Sequence, residues 1–251
     1  MAFSLANENN TGESSANPMT GTISTGGIGS NTQLVVVYVV TNRARNAADA
    51  APTLGGSSMT IAGSYEATSE GGITMWYAIG NFGINNSLAI SVTNSYGRTL
   101  SLMSSSWNLP SGKTATFGSA AQASSSGSTN PTVTVSFPTA PSMVVSGLFT
   151  GAASVNGLSA GRTLLGKYDT GSEGQAHQYY LNQKQASNVN MNWVFSTSDD
   201  WATVGGSFQE ITGTPSGDVA SHDTVIFANI GSLDGTAIAN ISSIDGVLTG
   251  N

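Results

Sequence analysis

The chain has 251 residues, of which 7 are basic and 14 acidic, giving a formal charge of -7, and it contains no cysteine. Only 8% of residues are charged, against roughly 25% in ordinary soluble domains. Without a Lys/Arg cluster the chain lacks a phosphate-neutralising surface, which excludes nucleic acid as a partner. Without cysteine it lacks disulfides, thiolate metal sites and a cysteine nucleophile.

Gly (31 residues), Ser, Thr, Asn and Ala separate short β-branched runs, a composition that favours strands and turns over helices. The predicted class is all-β. No run reaches the length of a transmembrane helix, and "MAFSLANENN" has neither the basic nor the apolar region of a signal peptide. The expectation is a chain made in the cytoplasm, without a signal peptide and without membrane insertion.

Residues 1–32 are rich in Asn, Gly, Ser and Thr, with scattered Phe3, Leu5, Ile23 and Ile28, and read as an extended N-terminal arm with room for one edge strand. From Gln33, "QLVVVYVVT" is a continuous apolar, β-branched run of strand length, as expected of a central strand buried on both faces. "NRARNAADAAPT" reads as a loop. "LGGSSMTIAGSY" reads as a Gly-Gly turn feeding a short strand, and "GITMWYAIGNF" as the next strand, carrying Trp76 and Tyr77. In "SLAISVT", Leu88, Ile90 and Val92 alternate with Ala89, Ser91 and Thr93, the signature of a half-buried strand.

"TLSLMSSSW", "TVTVSF" and "SMVVSGLF" continue the series, with the Ser-rich "AAQASSSGSTNP" read as a surface loop. "RTLLGKY", "AHQYYLNQ", "NVNMNWVFSTS" and "WATVGGSFQEI" complete it. In "NVNMNWVFSTS", Val189, Met191, Trp193 and Phe195 share one face and Asn188, Asn190 and Asn192 the other. Roughly ten or more short strands punctuated by turn residues predict one jelly-roll-like β-sandwich over residues 33–212.

"TGTPSGDVASHDT" opens a linker, and residues 213–251 end in a repeated phrase. Ala-Asn-Ile-Gly-Ser-Leu-Asp-Gly begins at Ala228 and Ala-Asn-Ile-Ser-Ser-Ile-Asp-Gly at Ala239. Each copy sets apolar residues about an Asp-Gly turn but is too short to bury them alone, so Ile230, Leu233, Ile241 and Ile244 are the candidate docking residues.

With these segments in view, the chain resembles a type of β-sandwich found in structural proteins of tailed bacteriophages. The matching pieces are "QLVVVYVV", "LGGSSMT", "MWYAIGNFGINNSLAISVT" and "WVFSTSDDWATVGGSFQEI", in the family's order over residues 33–211. "GNFG" departs from it, because such sequences usually carry Pro after the Asn. The Ile-Asp-Gly-Val ending is similar to the I-x-x-I-[DN]-G-V phrases near the ends of phage virion proteins. The resemblance implies a non-enzymatic virion component: a head decoration (cement) protein on the major capsid protein, or a fibre or tail-associated protein. It implies further virion subunits as partners, homo-oligomerisation, and assembly in the host cytoplasm; it transfers no catalytic or cofactor residue.

The residues themselves suggest little chemistry. His177 and His222 stand in unrelated contexts, with no His-x-x-x-His and no His and carboxylate cluster to hold a metal. His177, Asp169 and the many serines lack the Gly-x-Ser-x-Gly elbow of a hydrolase, so His177 reads as a surface strand residue. Asp199 and Asp200 either ligate Ca²⁺ with loop carbonyls or end a strand, and Asp234 and Asp245 read as turn residues. No catalytic residue, metal or cofactor is expected. The alternative function is a carbohydrate-binding, lectin-like module, whose contacts to a cell-surface glycan would be Trp107, expected exposed at a strand end, with Tyr179 and Tyr180, which as neighbours in a strand face opposite ways.

Overall fold

The computed structural model describes residues 3–25, 33–41, 51–67, 71–83, 86–93, 99–137, 141–151, 155–158, 161–169, 174–182 and 187–212, and four two-residue strands beyond them. The chain divides into two compact units, Met1–Thr212 and Gly213–Asn251.

In a strand, successive side chains point to opposite faces. Along Gln33–Thr41, Leu34, Val36, Tyr38 and Val40 enter one hydrophobic cluster, while Val35, Val37 and Val39 enter another. None of the nine residues is exposed, so the sheet that holds this strand is covered on both sides. Ser142–Thr150 has the same all-buried pattern. The expected all-β sandwich is therefore present twice.

The first sandwich comprises β1 (Ser4–Ser14), β2 (Met19–Ser24), β3 (Gln33–Thr41), β4 (Thr53–Leu54), β5 (Ser57–Ser58), β6 (Thr60–Ala67), β7 (Gly71–Gly80), β8 (Ser87–Val92) and β9 (Leu100–Asn108). Its two antiparallel sheets run β1-β9-β3-β7-β6 and β2-β8-β4-β5. The second comprises β10 (Lys113–Ser128), β11 (Thr132–Ser136), β12 (Ser142–Thr150), β13 (Val155–Leu158), β14 (Thr163–Asp169), β15 (Gly174–Asn182), β16 (Asn188–Phe195) and β17 (Asp199–Thr212). Its sheets run β10-β17-β12-β15-β14 and β11-β16-β13.

Strand for strand the two orders coincide, with β13 standing where the first sandwich has the β4–β5 hairpin. The register repeats too: β6 has a bulge between Ile61 and Gly63, and β14 has one between Leu164 and Gly166. Even the letters agree there, as Thr-Ile-Ala-Gly-Ser-Tyr at Thr60 and Thr-Leu-Leu-Gly-Lys-Tyr at Thr163.

The two five-stranded sheets pack face to face and form the largest core, which includes Val36, Met75, Met103 and Trp107 from one sheet and Met143, Val145, Phe149, Val204 and Phe208 from the other. The smaller sheets cover the outer faces. Met19, Ile23, Ile90 and Val92 close one side; Val133, Val135, Met191, Trp193 and Phe195 close the other. The result is four β layers with a central core, one outer cluster on the first sandwich and two on the second. Tyr38 and Gly147 hold corresponding positions in the two repeats, since Tyr38 pairs with Met75 and Met103, and Gly147 with His177 and Val204. These two residues face each other, and a Cβ on Gly147 would lie 2.5 Å from Tyr38 Cδ1.

Three expectations are corrected. Residues 4–24 of the expected arm lie inside the first sandwich: β1, an edge strand such as the arm had room for, pairs with β9, and a second strand, β2, pairs with β8. The span 33–212 is not one sandwich, because β3 to β9 belong to the first and β10 to β17 make the second, the two joined by the short Leu-Pro-Ser-Gly turn of Leu109–Gly112, where Lys113 N donates to the Pro110 carbonyl at 3.1 Å. "AAQASSSGSTNP" is not a surface loop, because Ala120–Ser128 continues β10 and pairs with β17. Ala121 and Ala123 there pack against the outer cores, and small side chains suit a strand that crosses two of them. Of the loop predicted at 42–53, residues 42–50 lie outside the described residues and Thr53 begins β4.

Two Gly residues connect β4 and β5, Gly55 and Gly56, with φ of 57° and 87°, as a two-residue hairpin of the type I′ class requires. In the tail, β18 (Ser232–Leu233) pairs with β19 (Thr236–Ala237), and β20 (Ser243–Ile244) with β21 (Val247–Leu248).

Replacing Gly147 with Ala forces the Tyr38 ring or β12 to move, and overpacking of this kind costs about 1–3 kcal/mol. Urea denaturation of Gly147→Ala measures this loss, and adding Tyr38→Leu recovers part of it, a non-additivity expected of residues in contact.

Candidate functional surfaces

A glycan platform needs exposed rings, and the tryptophans do not supply them. Trp76 and Trp201 are 5% exposed, and Trp107 and Trp193 are 0% exposed. Trp107, expected at the surface, is thus a core residue. It lies on the inner face of β9, donates its Nε1–H to Ser105 Oγ at 3.0 Å, and meets Tyr179 edge to face at 4.8 Å between ring centroids. The Ser-rich flank suggested solvent, but Ser104, Ser105 and Ser106 are buried as well, small enough to let the covering sheets approach.

Tyr179 and Tyr180 do point to opposite faces of β15. Tyr179 packs partly buried on the central core, and Tyr180 on the outer core beside Phe137. The Arg162 guanidinium lies 4.9 Å above the Tyr180 ring and donates to the Asn190 carbonyl at 2.6 Å. Tyr180 is therefore a half-buried ring covered by a cation. Beside it, the outer face of β11 and β16 is a ladder of uncharged polar groups: Thr134 Oγ1 donates to Asn190 Oδ1 at 2.8 Å and Ser136 Oγ to Asn188 Oδ1 at 3.1 Å.

His177, read from sequence as a surface residue, is 0% exposed. It occupies the inner face of β15 at the position that Met75 holds in the first repeat. Neither ring nitrogen has a hydrogen-bond partner among the described residues. Nε2 lies 3.5 Å from the Glu8 carboxylate on β1, and Tyr38 meets the ring edge-on at 6.2 Å. Burial lowers the proton affinity of His177, with the Glu8 carboxylate acting in the opposite direction; burial also pushes the Tyr38 phenol well above its usual range. Sequence reasoning missed this cluster because its members come from β1, β3 and β15, which only the stacking of the two sandwiches brings together.

Asp199 begins β17 and accepts a hydrogen bond from Thr150 Oγ1 at 2.7 Å, while the Asp200 carbonyl accepts one from Gly151 N at 3.0 Å. Both engagements tie β17 to the end of β12. Among the described residues no group of three His, Asp or Glu side chains converges as a metal site. No helix among them is long and apolar enough to cross a membrane.

Of the four docking candidates, Leu233 and Ile244 fall in the tail strands, paired with Thr236 and Val247; Ile230 and Ile241 lie outside the described residues. In each hairpin an Asp-Gly dipeptide separates the paired residues, Asp234-Gly235 and Asp245-Gly246.

Truncation separates the two kinds of aromatic environment. Trp107→Ala is expected to lose about 3–5 kcal/mol of stability in urea titration. Arg162→Ala, which removes a surface cation–π contact, is expected to lose no more than about 1 kcal/mol. Comparison with family models, curated proteins and solved structures finds no match to this chain.

Proposed function

We propose that this chain is a non-enzymatic structural component of a tailed-phage virion, with head decoration ahead of a fibre or tail-associated role. The observation that carries the reading is the tail. Two copies of one phrase, eleven residues apart (239 minus 228), each form a hairpin of two-residue strands in a unit separate from the sandwiches. An isolated hairpin of that length is not stable in water, and its apolar residues need a partner surface.

Each Ile or Leu buried on such a partner contributes about 1.5–3 kcal/mol. Ile230, Leu233, Ile241 and Ile244 together suffice to hold a subunit, and repetition of the contact over a symmetric particle strengthens the attachment. The charge-poor, Cys-free, two-sandwich body then serves as the displayed part. The resemblance of "QLVVVYVV" and "WVFSTSDDWATVGGSFQEI" to phage virion sandwiches supports the same setting, and the burial of all four Trp weighs against a lectin as the primary role.

Immunogold labelling of particles from a lysate of the source is expected to place gold over the heads. Gold confined to tail tips would move the role to receptor binding, and particles without gold would overturn the virion reading. Deleting residues 213–251 is expected to leave residues 1–212 folded, with unchanged far-ultraviolet circular dichroism per residue in the sandwich, and to abolish co-sedimentation with particles. Replacing Leu233 and Ile244 by Asp is expected to weaken co-sedimentation in the same direction.

A further inference from the structure

The pseudo-symmetric stacking produces two rims where the five-stranded sheets meet, and they differ in chemistry. At the rim where β6 and β7 face β10, the contact is apolar: Tyr77 stacks on Phe117 at 5.0 Å, both meet Phe208 edge-on, and Gly63 lies against Ala120 and Val204. At the opposite rim, where β1 faces β14, the corresponding space holds Glu8, His177 and Gly166. A Cβ on Gly166 would lie 2.7 Å from Glu8 Oε2 and 3.1 Å from His177 Nε2, so the absence of a side chain at the β14 bulge makes room for the pair.

The geometry points to an acid-sensitive latch at this rim: protonation of His177 loosens the N-terminal strand β1 from the second sandwich. Neutral imidazole is tolerated in the core although neither nitrogen is hydrogen-bonded among the described residues. Among those residues an imidazolium has one counter-charge, Glu8, and that carboxylate is itself 41% exposed. A buried charge without full pairing is strongly disfavoured, so the protonated ring favours a state in which water reaches it. The cheapest such state moves β1. It is an edge strand whose backbone ladder is with β9, beside one side-chain hydrogen bond from Asn9 to the Thr22 carbonyl of β2; that ladder is broken by two register shifts, and its residues are already partly or fully exposed. Poorly covered edge elements open first.

The other groups facing His177 do not replace Glu8. Tyr38 on β3 presents its ring edge, and β12 offers Gly147. On β14, Tyr168 lies against Gly12, and the Lys167 ammonium donates to the Val155 carbonyl. Glu13 on β1 lines a separate recess with Ser101 and Gln175, whose side chains bond each other at 2.5 Å.

The sign follows from the lowered proton affinity of His177 in the folded protein, caused first by burial. The unfolded or opened chain takes up the proton at about pH 6.5. The contribution of the latch is therefore complete above about pH 6.5 and declines as the pH falls below it.

Amide hydrogen exchange on the full chain at pH 7.5 and 5.5, corrected for intrinsic exchange rates, tests the latch. The expected result is a loss of protection in β1 and β14 at pH 5.5 on the order of tenfold, the protonation ratio of a free imidazole about one pH unit below its ordinary value, with β3 and β12 unaffected. His177→Met, which installs the residue of the first repeat, is expected to remove the pH dependence of β1. Glu8→Gln, which keeps the imidazole and removes its counter-charge, is expected to enlarge the acid loss. Equal pH dependence in wild type and His177→Met overturns the proposal, as does protection lost evenly over all strands. A smaller acid effect in Glu8→Gln overturns it as well, since the titrating group would then be the carboxylate. Should His177→Met fail to fold, wild type and Glu8→Gln decide alone.

Discussion

The face-to-face contact of the two five-stranded sheets is the constraint on which the rest of the molecule depends. It requires each central sheet to be apolar on both faces, which turns β3 and β12 into strands without an exposed position. It also requires close approach at the middle. Gly147 yields space to the Tyr38 ring, and Gly206 to Met75, where a Cβ would lie 2.8 Å from the Met75 methyl. On the outer side of the same strand, a Cβ on Gly205 would lie 2.7 Å from Val135 Cγ2. Small residues at the centre of β9 and β17, Ser104–Ser106 and Gly205–Ser207, therefore reflect a crowded position rather than a solvated one.

The architecture repeats one strand order and bulge, and the two halves differ at particular buried positions. Trp76 in the first repeat corresponds to Gln178 in the second, which is equally buried and donates to the Asn192 carbonyl. Met75 corresponds to His177. Each exchange puts a polar side chain in the second sandwich where the first has an apolar one, and each is placed against a covering element that can meet it. The two rims of the central interface consequently have different responses to their surroundings, one held by stacked rings and the other by a titratable pair.

The proposed role fits this division of labour. The pair of sandwiches buries most of its large apolar residues between its layers, with Leu5, Ile61, Leu164, Val194 and Ile211 exposed, and the outer face of β11 and β16 carries Thr, Ser and Asn side chains that bond across strands. In the proposed role, attachment is assigned to a segment built on another plan, in which a short phrase is repeated. Repetition raises the avidity of a weak unit without altering the unit.

Period-two alternation indicated the position of most strands and the face of many residues. Val189, Met191, Trp193 and Phe195 are buried and Asn188 and Asn190 exposed as the pattern indicates, and "QLVVVYVVT" is buried on both sides. Alternation reports which residues share a face; it carries no information on what covers that face. Only the tertiary structure decided that the Ser-flanked Trp107 and the lone His177 are enclosed, because their cover comes from sheets distant in sequence. Only it decided that residues 4–14 pair with β9 and that residues 120–128 continue an edge strand, because edge pairing is made by backbone groups that every residue carries. The duplication was equally hidden, because the two halves share strand order, bulges and crowded positions, while few of their letters coincide. For the proposed docking residues the sequence supplied the repeat and its Asp-Gly turns; the structure added the pairing of Leu233 with Thr236 and of Ile244 with Val247.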